Sequence, residues 1–151
     1  MSLASKLFEI QSKGLELRFD STNPHYGNDF ASLGAVLDVV LPALKEEGVL
    51  VYQAPTRHWR ASGEVDPGEV LETTLVDVEN PDDRLSFRTP LILDKENMQG
   101  LGSAITYARR YALVSLFTLN AEDDDGEGSI EVRGVSEEAK PRRAAPTRGS
   151  R

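Results

Sequence analysis

The stretch Gln99–Tyr111, "QGLGSAITYARRY", sets two arginines side by side in an otherwise apolar run, and how it folds organises the rest of the chain. Successive residues of an α-helix turn by about 100°. At that angle Met98, Leu101, Ile105, Ala108, Ala112, Leu113, Leu116 and Leu119 share one stripe, with Arg109 near its middle. Arg110, Tyr107, Tyr111, Val114 and Phe117 spread over the remaining surface. A helix that is apolar nearly all round must be covered on both sides, by its own sheet and by another element or subunit. Self-assembly is one way to supply the second cover. Asn97 or Ser103 starts this helix, which runs to about Leu119.

Arg109 requires an anion, because an unpaired guanidinium in a low-dielectric site is strongly unfavourable. An internal carboxylate is one partner; a phosphate, for Arg110 and also for Arg109, is the other. Tyr107 and Tyr111 stand one turn apart, as surfaces for base stacking or as core and interface residues. Gly100 and Gly102 either let backbone amides approach a phosphate or make the turn after the third strand. A GxxxxGK[ST] phosphate loop is absent from the sequence, which argues against an ATP-driven motor.

Upstream, "DFASLGAVLDVVLPALKEEG" (29–48) repeats Leu33, Val36, Leu37, Val40, Leu41 and Leu44 at steps of three and four, one apolar helix face. Asn28, Asp29 or Ser32 caps its start and Gly48 its end, while Pro42 removes an internal hydrogen bond. "VLVYQA" (49–54) reads as a strand, followed by the polar, turn-rich "PTRHWRASGEVDPG". Within that segment Arg57, His58, Trp59 and Arg60 interleave cations with the sole tryptophan in an expected loop, a pairing that suits single-strand binding or a subunit contact. "EVLETTLVDV" and "RLSFRTPLIL" are two more strands around a turn at "ENPDD". In the last strand Leu85 and Phe87 alternate with Arg84, Ser86 and Arg88, predicting one core face and one basic face. Helix, three strands and helix together predict an α+β fold, an antiparallel three-stranded β-sheet packed by helices.

The chain has 151 residues, 39% of them hydrophobic, enough for one domain with a core. With no cysteine and only His25 and His58, disulfides, thiolate chemistry and histidine-based metal sites are disfavoured, and no cofactor or metal is expected. Lacking an apolar run long enough to span a bilayer and a signal-peptide start, it is expected in the cytoplasm without membrane contact. The net charge of −8 disfavours indiscriminate nucleic-acid binding. That charge is uneven: residues 121–138 carry −7 and residues 139–151 carry +5. Aligning Gly126 with the glycine of a calcium-binding EF-hand loop puts Ala121 and Val132 at the first and last ligand positions, so that reading fails. Residues 127–151 hold too few large apolar side chains to offset the entropy of ordering. The expected division is a domain over 1–126 and a disordered, acidic-to-basic tail over 127–151.

The stretch "MQGLGSAITYARRYALVSLFTLNAEDDDGEG" closely resembles the signature of the ERF superfamily of phage single-strand annealing proteins. "NPHYGNDFASLGAVLDVVLPALKEEGVLVYQ" is similar to that family's first segment. Together they cover about residues 23–128 in the family's order. The resemblance implies a protein that binds single-stranded DNA, forms rings or filaments, and anneals complementary strands without ATP in phage recombination and repair. It is not an enzyme on this reading, and an exonuclease or a single-strand binding protein are its further partners. The resemblance also implies the helix and β-hairpin core of ring-forming annealing proteins. Gly102, Ser103, Thr106, Tyr107, Arg109, Arg110 and Tyr111 match the family's pattern. Arg110 is assigned to phosphate and Arg109 to a structural or intersubunit anchor, with Arg57, Trp59, Arg60, Arg84 and Arg88 as secondary DNA contacts. An oligomeric adaptor that leaves DNA untouched, or a Mg²⁺-dependent nuclease, are the competing readings.

Overall fold

The computed structural model describes residues 1–59 and 65–122, with side chains at 1–57 and 69–122. Its first element is a helix that hydrophobic periodicity does not disclose, α1 (Leu3–Lys13). The Ser2 hydroxyl caps it by accepting from the Ser5 amide at 3.2 Å. Leu3 and Ile10 are buried on its inner face, and so is Lys6. Lysine on an apolar face hides the helical period from a hydrophobicity pattern. Here it is tolerated because Lys6 Nζ donates to Asp77 Oδ1 at 2.7 Å and to Glu79 Oε2 at 3.1 Å.

A short hairpin follows, β1 (Ser21–Thr22) paired with β2 (Asp29–Phe30). Its tip turns at Gly27 (φ +71°), and Tyr26 beside it is 84% exposed. Asp20 Oδ1 and Oδ2 accept from the Ser32 amide and hydroxyl at 2.8 and 2.6 Å, fixing the start of α2 (Leu33–Glu46). Ser32 is the cap, and Val36, Val40 and Leu44 are its buried residues. Leu41, expected on the same face, is exposed. The helix continues through Pro42.

Three strands form the antiparallel sheet in the order β3 (Val49–Trp59), β4 (Val65–Asp77), β5 (Arg84–Pro90). This is the expected α+β architecture. β3 is longer than expected: Thr56 pairs with Val70 and Arg57 with Glu69, so "TRHW" belongs to a strand and not to a loop. Pro55 misled the pattern, yet on an edge strand its missing donor faces outward and breaks no ladder bond. Directly opposed residues of antiparallel strands share a face. The registers Val51↔Leu75↔Leu85 and Gln53↔Thr73↔Phe87 therefore form the inner rows, whereas Tyr52, Thr74, Ser86, Glu72 and Arg88 stand on the outer face. Leu85 is nonetheless 44% exposed, a departure from its expected core position, because β5 is an edge strand with no strand beside it on the far side.

The last helix, α3 (Met98–Leu116), packs across this inner face and against α2. Of the two expected starts, Asn97 is the cap, its Oδ1 accepting from the Gly100 amide at 2.8 Å. At its end the Leu119 amide donates to Val114 O and the Thr118 amide to Ser115 O, a Schellman closure. That closure puts Thr118 at φ +51°, where a β-branched residue is strained. The chain then returns to the hairpin: the Ala31 amide donates to Ala121 O at 2.9 Å, and Phe30 bridges to Glu122. The main core joins Ile10, Val36, Val40, Leu44, Leu75, Leu113 and Phe117, and a smaller one joins Leu71, Leu91, Ala104 and Ala108.

The Lys6–Asp77 pair gives stability a pH dependence. Its ammonium first, then the Glu79 amide, holds the Asp77 carboxyl below its ordinary value of 3.8. A group lowered on folding stabilises above its unfolded pKa and loses that contribution as pH falls through the folded one. Asp20 acts in the same direction, held down by the Ser32 hydroxyl and then the Ser32 amide. Lys6, raised above 10.5 chiefly by its hydrogen bond to Asp77, gives the opposite limb, lost at strongly alkaline pH. Denaturant unfolding across pH 2–6 is expected to show stability falling below about pH 4. Asp77→Asn should flatten that decline, and an unchanged acid limb would show that the pair is not its source.

Candidate nucleic-acid interface

Helix α3 turns one side to the sheet and a second side to α2, so both covers come from the same chain. Its breadth of apolar surface therefore does not by itself call for another subunit. The fold also reverses the expected exposure of the arginines. Arg110 is 5% exposed, and Arg109, expected within the buried stripe, is half-buried. The sequence pattern placed Arg110 outward because nothing in it shows that Phe30, far upstream, closes over that side.

Arg110 lies among three rings, its guanidinium carbon 4.6 Å from the centroid of Tyr111, 5.1 Å from Phe30 and 5.7 Å from Tyr107. Ring faces carry negative quadrupole density, which attracts a cation stripped of water. Arg110 Nη1 is nevertheless buried without a hydrogen bond. The carboxylate of Glu122 stands 3.6 Å away, at ion-pair range but too long for a hydrogen bond. Tyr107 and Tyr111 lie on the solvent side of α3, 55% and 46% exposed, with centroids 6.1 Å apart and planes inclined by 24°. Two offset aromatic faces over a buried cation thus meet solvent.

Beside Tyr111 a shallow, mostly apolar cavity of about 320 Å³ opens between β5 and the second half of α3. Phe87, Thr89, Tyr111, Ala112, Ser115 and Leu116 line it. Ser115 Oγ donates to Tyr111 O at 2.7 Å, which holds the hydroxyl at its rim.

Arg109 points toward the sheet. Its Nε donates to Gln53 Oε1 at 3.4 Å, while Gln53 Nε2 donates to Arg109 O at 3.3 Å and to Thr73 Oγ1 at 3.0 Å. Its partner is an amide, in place of the carboxylate or phosphate expected of it. The other arginines are not gathered around this cluster. Arg84 and Arg88 pair in register with Val76 and Glu72 on the outer face of the sheet, away from α3. Arg88 contacts Glu72 at 3.1 Å, Arg84 contacts Asp82 at 3.9 Å, and Arg57 contacts Glu69 at 3.8 Å. Exposed pairs of this kind contribute ~0–1 kcal/mol each and exchange readily for another anion. The Trp59 side chain and Arg60 lie outside the described residues.

Gly100 does not offer its amide to a phosphate, since Asn97 already accepts from it. Its lack of a side chain serves packing instead: a Cβ there would collide with the Lys95 carbonyl. Gly102 faces open space. Among the described residues no three His, Cys, Asp or Glu side chains converge on a point that could hold a metal ion. Asp123, Asp124 and Asp125 lie outside those residues. Among the described helices none is long and apolar enough to cross a membrane.

Phe30 and Glu122 complete the cluster around Arg110, and Gln53 holds Arg109; sequence spacing pointed to none of them. Only the fold brings residues 30, 110 and 122 to one place.

Comparison with known families matches residues 3–148 to the model described as the ERF superfamily, a span that runs on into the segment read as a tail. No match was found among curated proteins or among solved structures. The match takes in α1, the sheet and the arginine-bearing helix in a single span, and the chain belongs to the ERF superfamily.

Proposed function

We propose that the protein binds single-stranded DNA and anneals complementary strands without ATP, in phage recombination and repair. The observation that carries this reading, beside family membership, is the pair of solvent-facing tyrosines stacked over Arg110. Aromatic faces accept any base, and a neighbouring cation attracts the backbone, the combination a sequence-indifferent single-strand binder uses. Arg110, Tyr107 and Tyr111 form the centre of the proposed surface. Arg109, held by Gln53, is its anchor, and Arg57, Arg84 and Arg88, with Trp59 and Arg60, are proposed as secondary contacts outside that surface.

The proposed protein makes and breaks no covalent bond and needs no cofactor. Holding strands by backbone and stacked faces keeps them extended for pairing. Duplex stacking, on average about 1.4 kcal/mol per step, then drives the strands off as product. A ring or filament of copies would align long strands, and the domain proposed for this work is 1–126, with 127–151 as a tail. An exonuclease that exposes single strands, or a single-strand binding protein, fits as a partner, and the host cytoplasm as the place of action.

Annealing of complementary oligonucleotides, followed by dye release or gel without nucleotide and with chelator, tests the proposal. Acceleration over the spontaneous rate is expected with strand length preserved. Assembly without any effect on DNA would instead make the protein an adaptor, a role its overall charge of −8 suits. Strand loss on adding Mg²⁺ would make it a nuclease.

A further inference from the structure

A guanidinium buried in an aromatic cage with one nitrogen unsatisfied is an anion site that its own chain fills imperfectly. The group at that site is Glu122. Its carboxylate stops 3.6 Å short of Arg110 Nη1, and its side chain remains 45% exposed. Glu122 reaches Arg110 only because the chain after α3 turns at Thr118 and docks on the hairpin, through Ala121 O on the Ala31 amide and the Phe30↔Glu122 bridge. Among the described residues, that docking is held by the Ala31–Ala121 backbone hydrogen bond, the Phe30↔Glu122 bridge and the packing of Leu119 and Ala121 on the core.

We infer that the Glu122 carboxylate is a placeholder for a nucleic-acid phosphate, and that single strands enter the Arg110 site by exchanging with it. This rests on the DNA-binding reading and adds the route by which a buried arginine meets its ligand. The guanidinium cannot be reached past Phe30, Tyr107 or Tyr111, which cover its faces. It is reachable from the side that Glu122 occupies, where the carboxylate already meets solvent. A phosphate oxygen in that place accepts the hydrogen bond that Nη1 lacks, and the bases on either side lie against Tyr107 and Tyr111. Charge-assisted hydrogen bonds to an anion are the strong ones, so exchange replaces a long ion pair by a short bond. Exchange also moves a negative side chain, and with it the start of the −7 segment, away from the strand's own charge. An acidic protein can then hold DNA at one defined place while repelling it elsewhere.

The test is a double-mutant cycle read by fluorescence anisotropy of a labelled oligothymidylate, using the full chain. Glu122→Gln removes the competing charge but keeps the backbone bridge. It is expected to bind about two- to fivefold more tightly than wild type, the range of an exposed ion pair. In an Arg110→Gln background, chosen beside Arg110→Ala because the longer side chain still fills the cage, the gain from Glu122→Gln should vanish. Glu127→Gln removes the same charge from the acidic run and should give a smaller gain that persists without Arg110. If Glu122→Gln is neutral while wild type binds, or if its gain survives in Arg110→Gln, the exchange is overturned and DNA binding stands. If no variant binds single strands even at low salt, the DNA-binding reading falls, and the exchange with it.

Discussion

Tyr107→Ala and Tyr111→Ala are each expected to weaken single-strand binding by roughly tenfold, and together by nearly a hundredfold. Base–aromatic stacking contributes about 1–3 kcal/mol per base, and each 1.4 kcal/mol is about a factor of ten. Both rings already lie on the solvent side of α3, so a base can stack on them without unpacking the core. The corresponding phenylalanine variants keep the faces and should bind as wild type does. Titration of an oligothymidylate at fixed salt measures all of these, with thermal melting alongside. The alanine variants also strip two of the three rings from Arg110, so a modest loss of stability accompanies the loss of binding. Unchanged affinity in the folded double variant would remove the tyrosines from the DNA surface and leave them as cover for the arginine.

Gly100→Ala is expected to be the most damaging single-methyl change in the described structure. The added carbon meets the Lys95 carbonyl, and the carbonyl carbon itself would be only 2.8 Å away. Neither atom is the movable end of a side chain. Relief must come from moving residues 95–97, which carry the Asn97 cap and the tight bond from the Asn97 amide to Lys95 O. Overpacking of this kind costs about 1–3 kcal/mol, and loss of the cap about 1 kcal/mol more. Gly102→Ala is the matched control two residues on, where the space is open; removing glycine from a helix there should stabilise by about 0.5–1 kcal/mol. Urea unfolding of the pair separates the readings. If both variants gain stability, the close approach at Gly100 is not a constraint.

These two sites mark what the sequence does and does not disclose. Periodicity alone located α2 and α3, and the side chains that cap them, Ser32 and Asn97, were among those expected. The alternation in "EVLETTLVDV" and "RLSFRTPLIL" carried the sheet pairing and its turn. Local pattern failed where a residue is excused by something distant. Lys6 sits on a buried face because Asp77 is opposite it, and Pro55 sits in a strand because that strand is an edge. Arg110 is buried because Phe30, far upstream, closes over it, and no local signal at residue 110 carries that information. The family pattern identified the helix that bears the proposed site without telling which of its two arginines faces inward.

The return of the chain onto the hairpin has a kinetic meaning. Phe30 and Glu122 are separated by α2, the three-stranded sheet and α3, so their bridge closes all of these elements into one loop. Contacts of such long sequence separation carry a large loop-closure cost and slow folding. The Ala31 amide, bonded to Ala121 O, is therefore a clock for the strap: its rate of hydrogen exchange with solvent counts how often residues 119–122 lift while the rest of the domain stays shut.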